Sequence, residues 1–161
     1  MTPVDQLHVD IARQSIVGSM AGQEVVRYPV STAVRGIGAS EGSFQTPSGD
    51  HRVRIKLGAG LPLGAVFLRR RWTGDVLDPP LRERFPSRDW VLTRVLWLQG
   101  LEPDVNRGSN VDTLRRFVYI HGTHEEDLVG QPASFGCVRM RNADIAALFD
   151  RVPTGCRVRI E

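Results

Sequence analysis

The sequence predicts a mainly β protein, a β-sandwich or barrel-like pair of sheets with one late helix. Several short segments alternate apolar and polar residues, the period of half-buried strands. The 10 prolines and 16 glycines are spread so as to forbid long regular elements over most of the chain. Only one stretch, near the C-terminus, places apolar residues at helical spacing.

Leu7, Val9 and Ile11 alternate with polar partners and predict a first strand. Ser15 to Met20 and Gln23 to Ser31 read as two more strands, joined as a hairpin across Ala21-Gly22. From Val34 to Asp50 the density of Gly, Ser and Pro predicts a loop. His51 to Ile55 alternates again. The stretch from Gly58 to Asn110 is long and irregular. Within it Val66 to Leu68 and Val91 to Leu98 look like strands, separated by Asp78-Pro79-Pro80 and Phe85-Pro86. A strand Phe117-Val118-Tyr119-Ile120 runs into His121-Gly122-Thr123. Asn142 is placed to cap the helix, whose Ile145, Leu148, Phe149 and Val152 fall on one face. Pro153 and Gly155 end it before a last strand, Arg157 to Ile160.

The 161 residues read as one domain, 1–161, long enough to bury a core without disulfides. A composition of 41% apolar and 24% charged residues belongs to an ordinary globular protein. The net charge of +3 gives no footing for nucleic acid. Lys56 is the only lysine. No apolar run reaches the length of a membrane span. The N-terminus lacks the basic start, apolar core and cleavage site of an export signal, so cytoplasmic residence is expected, or the periplasm if the chain is a trimmed form. Cys137 and Cys156 are read as two free thiols.

The chemistry concentrates late in the chain. Twelve residues separate His121 from Ser134, which opens Ser134-Phe135-Gly136-Cys137-Val138-Arg139-Met140. A thiol attacks as thiolate, and an imidazole that takes its proton supplies that form. Gly136 lets the backbone bend and turn amides toward a developing oxyanion. Arg139 has the two-pronged donor set that grips a carboxylate, or it pins the loop. These residues predict a cysteine acyl-transfer enzyme.

The His-Gly-Thr and Ser-x-Gly-Cys-Val-Arg-Met segments resemble the signature of the YkuD-type L,D-transpeptidases. Tyr28-Pro29-Val30-Ser31-Thr32, Gln45-Thr46-Pro47-Ser48-Gly49-Asp50 and the closing Val152-Pro153-Thr154-Gly155 with Val158-Arg159-Ile160 extend the likeness over nearly the whole chain. Most members carry His where this chain has Phe135. The resemblance implies a mixed β-sandwich with the cysteine loop followed by a helix. It also implies acyl transfer on peptidoglycan stem peptides, with no metal or organic cofactor. Cys137 would be the nucleophile and His121 the base, its ring oriented by the carbonyl of Gly122 or Thr123. Backbone amides around Phe135, Gly136 and Cys137 would hold the oxyanion, and Ser134 would touch substrate or brace the loop. Carbapenems are expected to acylate Cys137.

If water resolves the thioester, the outcome is removal of the terminal D-Ala from tetrapeptide muropeptides, an L,D-carboxypeptidase of wall recycling. If an amine does, it is a 3→3 cross-link, an L,D-transpeptidase. The absent export signal favours the first. A non-enzymatic thiol or zinc module built on His121, His124 and Cys137 is the remote alternative. Glu125, Glu126 and Asp127 read as a solvated loop, His8 and His51 as surface residues, and Cys156 as structural.

Overall fold

In the computed structural model, which describes residues 1–161, the first hairpin closes as the sequence predicts. Ala21 and Gly22 take φ of 50° and 79°, the left-handed pair that a two-residue hairpin loop requires. They join β2 (Ser15–Met20) to β3 (Gln23–Pro29). β1 (Gln6–Asp10) lies antiparallel to β2 and parallel to β10 (Arg157–Ile160). β10 then pairs with β4 (Gly49–Leu57), and β4 with the ten-residue β7 (Val91–Gly100). β7 also takes β5 (Ala65–Leu68), which pairs with β6 (Arg71–Val76). Along β7 runs β8 (Tyr119–Gly122), which carries β9 (Val138–Met140) in parallel. The sheet is therefore mixed.

β1 and β8 are four neighbour steps apart in this order, roughly 19 Å in a flat sheet at about 4.8 Å per step. Yet Leu7 and Val9 of β1 share one buried cluster with Ile120 of β8, Val138 and Met140 of β9, and Leu96 and Leu98 of β7. The sheet must curl over to make that contact, so the two leaves of the expected sandwich are parts of one rolled sheet. Ile145, Leu148 and Phe149 of α2 (Asn142–Arg151) fill the same core. Lys56 Nζ donates to the carbonyls of Phe149 (2.8 Å) and Val152 (2.6 Å), giving the helix end the cation that its dipole favours.

The middle stretch is more regular than its sequence suggests. Asp78-Pro79-Pro80 does not merely break structure but starts a short helix, α1 (Pro79–Arg84). The Asp78 carboxylate accepts from Leu81 N at 2.9 Å, and proline is suited to the first helical positions, where no N–H partner is needed. β6 is exposed along its length, so no apolar alternation marked it. At the late helix, Asn142 is the first residue and not the cap; the Glu126 carboxylate accepts its N–H at 3.0 Å.

His51 is fully buried, contrary to the surface role expected of it. Its Nδ1 lies 3.0 Å from the Gly49 carbonyl and its Nε2 3.0 Å from Thr113 Oγ1. Burial pulls its pKa down from 6.5 to about 4. Between those values the unfolded chain binds the proton and the folded one does not, so stability falls as pH drops. The loss from this residue is about 3 kcal/mol at most. His51→Gln is expected to be less stable at pH 7 and to lose less between pH 7 and 4.5. Urea midpoints at the two pH values check this, and parallel losses in both proteins would refute it.

Candidate active site

Parallel pairing of β8 with β9 sets Ile120 beside Val138, His121 beside Arg139 and Gly122 beside Met140. Side chains alternate along a strand. Ile120, Val138 and Met140 enter the core, which leaves His121 and Arg139 on the opposite face. Cys137, one residue before β9, continues that face beside Tyr119, whose N–H donates to its Sγ at 3.3 Å. The sheet thus brings the predicted base and nucleophile together across sixteen positions of sequence.

The loop that presents the thiol is clamped from both N-terminal segments singled out above. Ser31 exchanges two backbone hydrogen bonds of 2.8 Å with Arg139, and Thr32 O accepts the amides of Ala133 and Ser134. Thr46 Oγ1 donates to Gly136 O at 3.0 Å. Inside the loop, Ser134 Oγ donates to Cys137 O (2.6 Å) and accepts from Gly136 N (3.2 Å). In the free protein Ser134 thus braces the loop. The Gly136 amide is thereby occupied, while those of Phe135 and Cys137 carry no internal hydrogen bond. Gly136 has φ 130°, and a Cβ there would sit 3.3 Å from Gln45 O, so glycine is required.

His121 is wholly buried, and its Nδ1 lies 2.7 Å from the Gly122 carbonyl. A carbonyl only accepts, so Nδ1 carries the proton and Nε2 has the free lone pair. Of the two orienting carbonyls expected, Gly122 is the one used. Nε2 is buried with no partner. Burial lowers the imidazole's pKa, opposed by Asp89, so the ring is neutral at pH 7. Burial pushes the Cys137 thiol up to about 12, with Asp89 adding to it and Tyr119 N–H, Arg139 and Arg116 opposing. Its Sγ is turned to the Phe117 carbonyl at 3.5 Å. Thiol and imidazole thus rest as a neutral pair and not as thiolate and imidazolium.

Arg139 is not free to grip a ligand. It is 1% exposed, with Nη2 2.8 Å from Asp89 Oδ1 and Nη1 3.2 Å from both Glu125 Oε1 and the Ala133 carbonyl. It pins the loop. Glu125 and Glu126 are accordingly more than a solvated loop, the first paired to Arg139 and the second capping α2. Phe135 is 59% exposed, its ring centroid 5.4 Å from Arg139 Cζ. His124 lines a separate cavity with Arg82 and Asn142, and His121, His124 and Cys137 do not gather as metal ligands. The sequence pattern did not mark Asp89, which lies between Arg88 and Trp90 and acts through its charge on both Cys137 and His121. Nor did it single out Tyr119 or Arg116.

The profile of the YkuD family, described as the L,D-transpeptidase catalytic domain, matches residues 5–160. The probable L,D-transpeptidase ErfK/SrfK of Salmonella typhimurium is 28% identical over 165 residues, which cover 99% of this chain and 48% of that protein. Among solved structures, an L,D-transpeptidase of Xylanimonas cellulosilytica (residues 123–326) superposes with TM-score 0.61 at 20% identity, covering all of this chain and 62% of that one. L,D-transpeptidase 3 of Mycobacterium tuberculosis, solved with a faropenem-derived adduct, gives 0.59 at 15% identity, over 99% and 60% of the two chains. The chain spans about half the length of its Salmonella relative, 48%. Its rolled mixed sheet, with a thiol loop between β8 and β9, is that of an L,D-transpeptidase catalytic domain. The chain belongs to the YkuD family.

Proposed function

We propose that the domain is a thiol-dependent acyl-transfer enzyme that cuts the L,D peptide bond of peptidoglycan stem peptides. The observation that carries this reading is His121 Nε2, a buried, unpartnered basic nitrogen on the face that holds the Cys137 thiol. A buried polar atom without a partner needs an explanation, and a proton to collect is one. In the reaction Cys137 Sγ leaves the Phe117 carbonyl and passes its proton to Nε2. Sulfur then bonds to the carbonyl carbon of the third stem residue. The amides of Cys137 and Phe135 hold the oxyanion. Collapse breaks the C–N bond, His121 protonates the departing D-Ala amine, and a thioester remains. Water, at about 55 M, resolves it unless a bound amine reaches a larger effective concentration. The proposed default product is thus the tripeptide, an L,D-carboxypeptidase outcome. Carbapenems, as strained acyl donors, are proposed to acylate the same sulfur.

With a disaccharide tetrapeptide alone, the expected products are the disaccharide tripeptide and free D-Ala, read by mass spectrometry. Predominant 3→3 dimer at low micromolar substrate would replace hydrolysis by cross-linking. No turnover of either kind would overturn the acyl-transfer reading.

A further inference from the structure

Beside the thiol lies an open groove of about 270 Å³ lined by Glu41, Phe44, Arg115, Arg116, Phe117 and Phe135. Three large aromatic rings are unusually open here, Phe44 at 53%, Phe117 at 45% and Phe135 at 59% exposed. Exposed apolar groups gathered in one concavity mark a ligand surface more than chance scatter does. The groove reaches the reacting atoms from two sides. Phe117 supplies the carbonyl 3.5 Å from Cys137 Sγ, and Arg116 Nη2 would be 4.0 Å from a Cβ on Gly136.

Arg116 is half sunk into this wall and has no carboxylate partner. Its guanidinium donates to neutral oxygens only, Gln45 O at 2.9 Å, Ser43 Oγ at 3.3 Å and Gly38 O at 3.5 Å. Glu41, the carboxylate nearest in effect, shares the groove without forming an ion pair with it. Burial lowers the pKa of Arg116, a sign that its charge is poorly compensated in the free protein. Arg139, by contrast, already has both Asp89 and Glu125. Of the two arginines near the loop, only Arg116 has charge left for a ligand.

We propose that this groove is a peptide-carboxylate site, in which Arg116, with Arg115 beside it, receives the C-terminal carboxylate of the leaving D-residue while the aromatic rings pack on the peptide. The site rests on the acyl-transfer reading. In a C-terminal peptide the carboxylate is only one residue beyond the scissile carbonyl. An acceptor close to the oxyanion loop therefore matches an exopeptidase, and a free acid is preferred over a capped end.

The test compares two tetrapeptides, one ending in D-Ala and the other in D-alaninamide. Wild type is expected to favour the acid by roughly 10- to 100-fold in kcat/KM, the worth of one charge-assisted hydrogen bond. In Arg116→Gln the preference should fall toward unity, the acid losing more than the amide. Because Arg116 also ties down the segment 38–45, Arg116→Lys is run alongside. It keeps the charge and should hold part of the preference that Arg116→Gln loses, while remaining folded by circular dichroism. Equal turnover of both peptides by wild type would overturn the carboxylate site alone. So would an equal loss on both peptides in Arg116→Gln, or a preference in Arg116→Lys no greater than in Arg116→Gln. Turnover of neither peptide by wild type would instead bring down the acyl-transfer reading beneath it.

Discussion

Cys137→Ala is expected to abolish tetrapeptide turnover, with a loss of roughly 10³-fold or more, because the remaining groups only bind and polarise the substrate. Cys156→Ala is the matched control. Cys156 is 4% exposed within the main core cluster, and its thiol is pushed up to about 11 by burial. Its loss should cost some stability and leave most of the rate. Intact mass makes the same comparison without a muropeptide. A carbapenem is expected to add one drug equivalent to wild type and to Cys156→Ala, and nothing to Cys137→Ala. Turnover or an adduct surviving in Cys137→Ala would remove the thiol from the mechanism.

Much of the site was legible because its parts are short-range. His121-Gly122 and Ser134 to Arg139 are each local in sequence, and a strand end or a glycine-bent loop fixes their geometry within a few residues. The late helix and the Ala21-Gly22 hairpin are of the same kind. What stayed hidden depends on long-range contact. Whether Arg139 grips a carboxylate or pins the loop is decided by Asp89, fifty positions away, and Glu125, which close on it. The role of Ser134 depended on which oxygen its hydroxyl reached. His51 alternates in phase with Val53, which turns it inward; what the strand alone did not show is Thr113, 62 positions away, as the partner of its ring. α1 carried a readable sign, an aspartate before two prolines, which is easily taken for a break when it is in fact a start.

His121→Ala should lower kcat/KM by about 10²- to 10⁴-fold, the usual worth of a positioned general base, and the pH profile distinguishes that role from simple damage. On the proposed mechanism the neutral imidazole of the wild type is the working form. Burial holds its pKa below 6.5, so activity should persist below pH 6.5 before the acid limb appears. Above it the profile should be flat, since each attack brings its own base and needs no thiolate in advance. Without His121 the only nucleophile is thiolate formed by solvent, from a thiol with a pKa raised to about 12. The residual rate of the variant should then climb about tenfold per pH unit across the neutral and mildly alkaline range, one proton lost per attack. The gap to wild type narrows accordingly as pH rises. A variant profile that stays flat and merely lies lower would mean that His121 holds the site together but does not take the proton. A resting thiolate–imidazolium pair would show itself differently, as rapid alkylation of wild-type Cys137 at pH 6. The burial of His121 and the desolvation of the half-buried Cys137 thiol argue against that state, because separating charge there, with Asp89 close by, raises the energy of the thiolate.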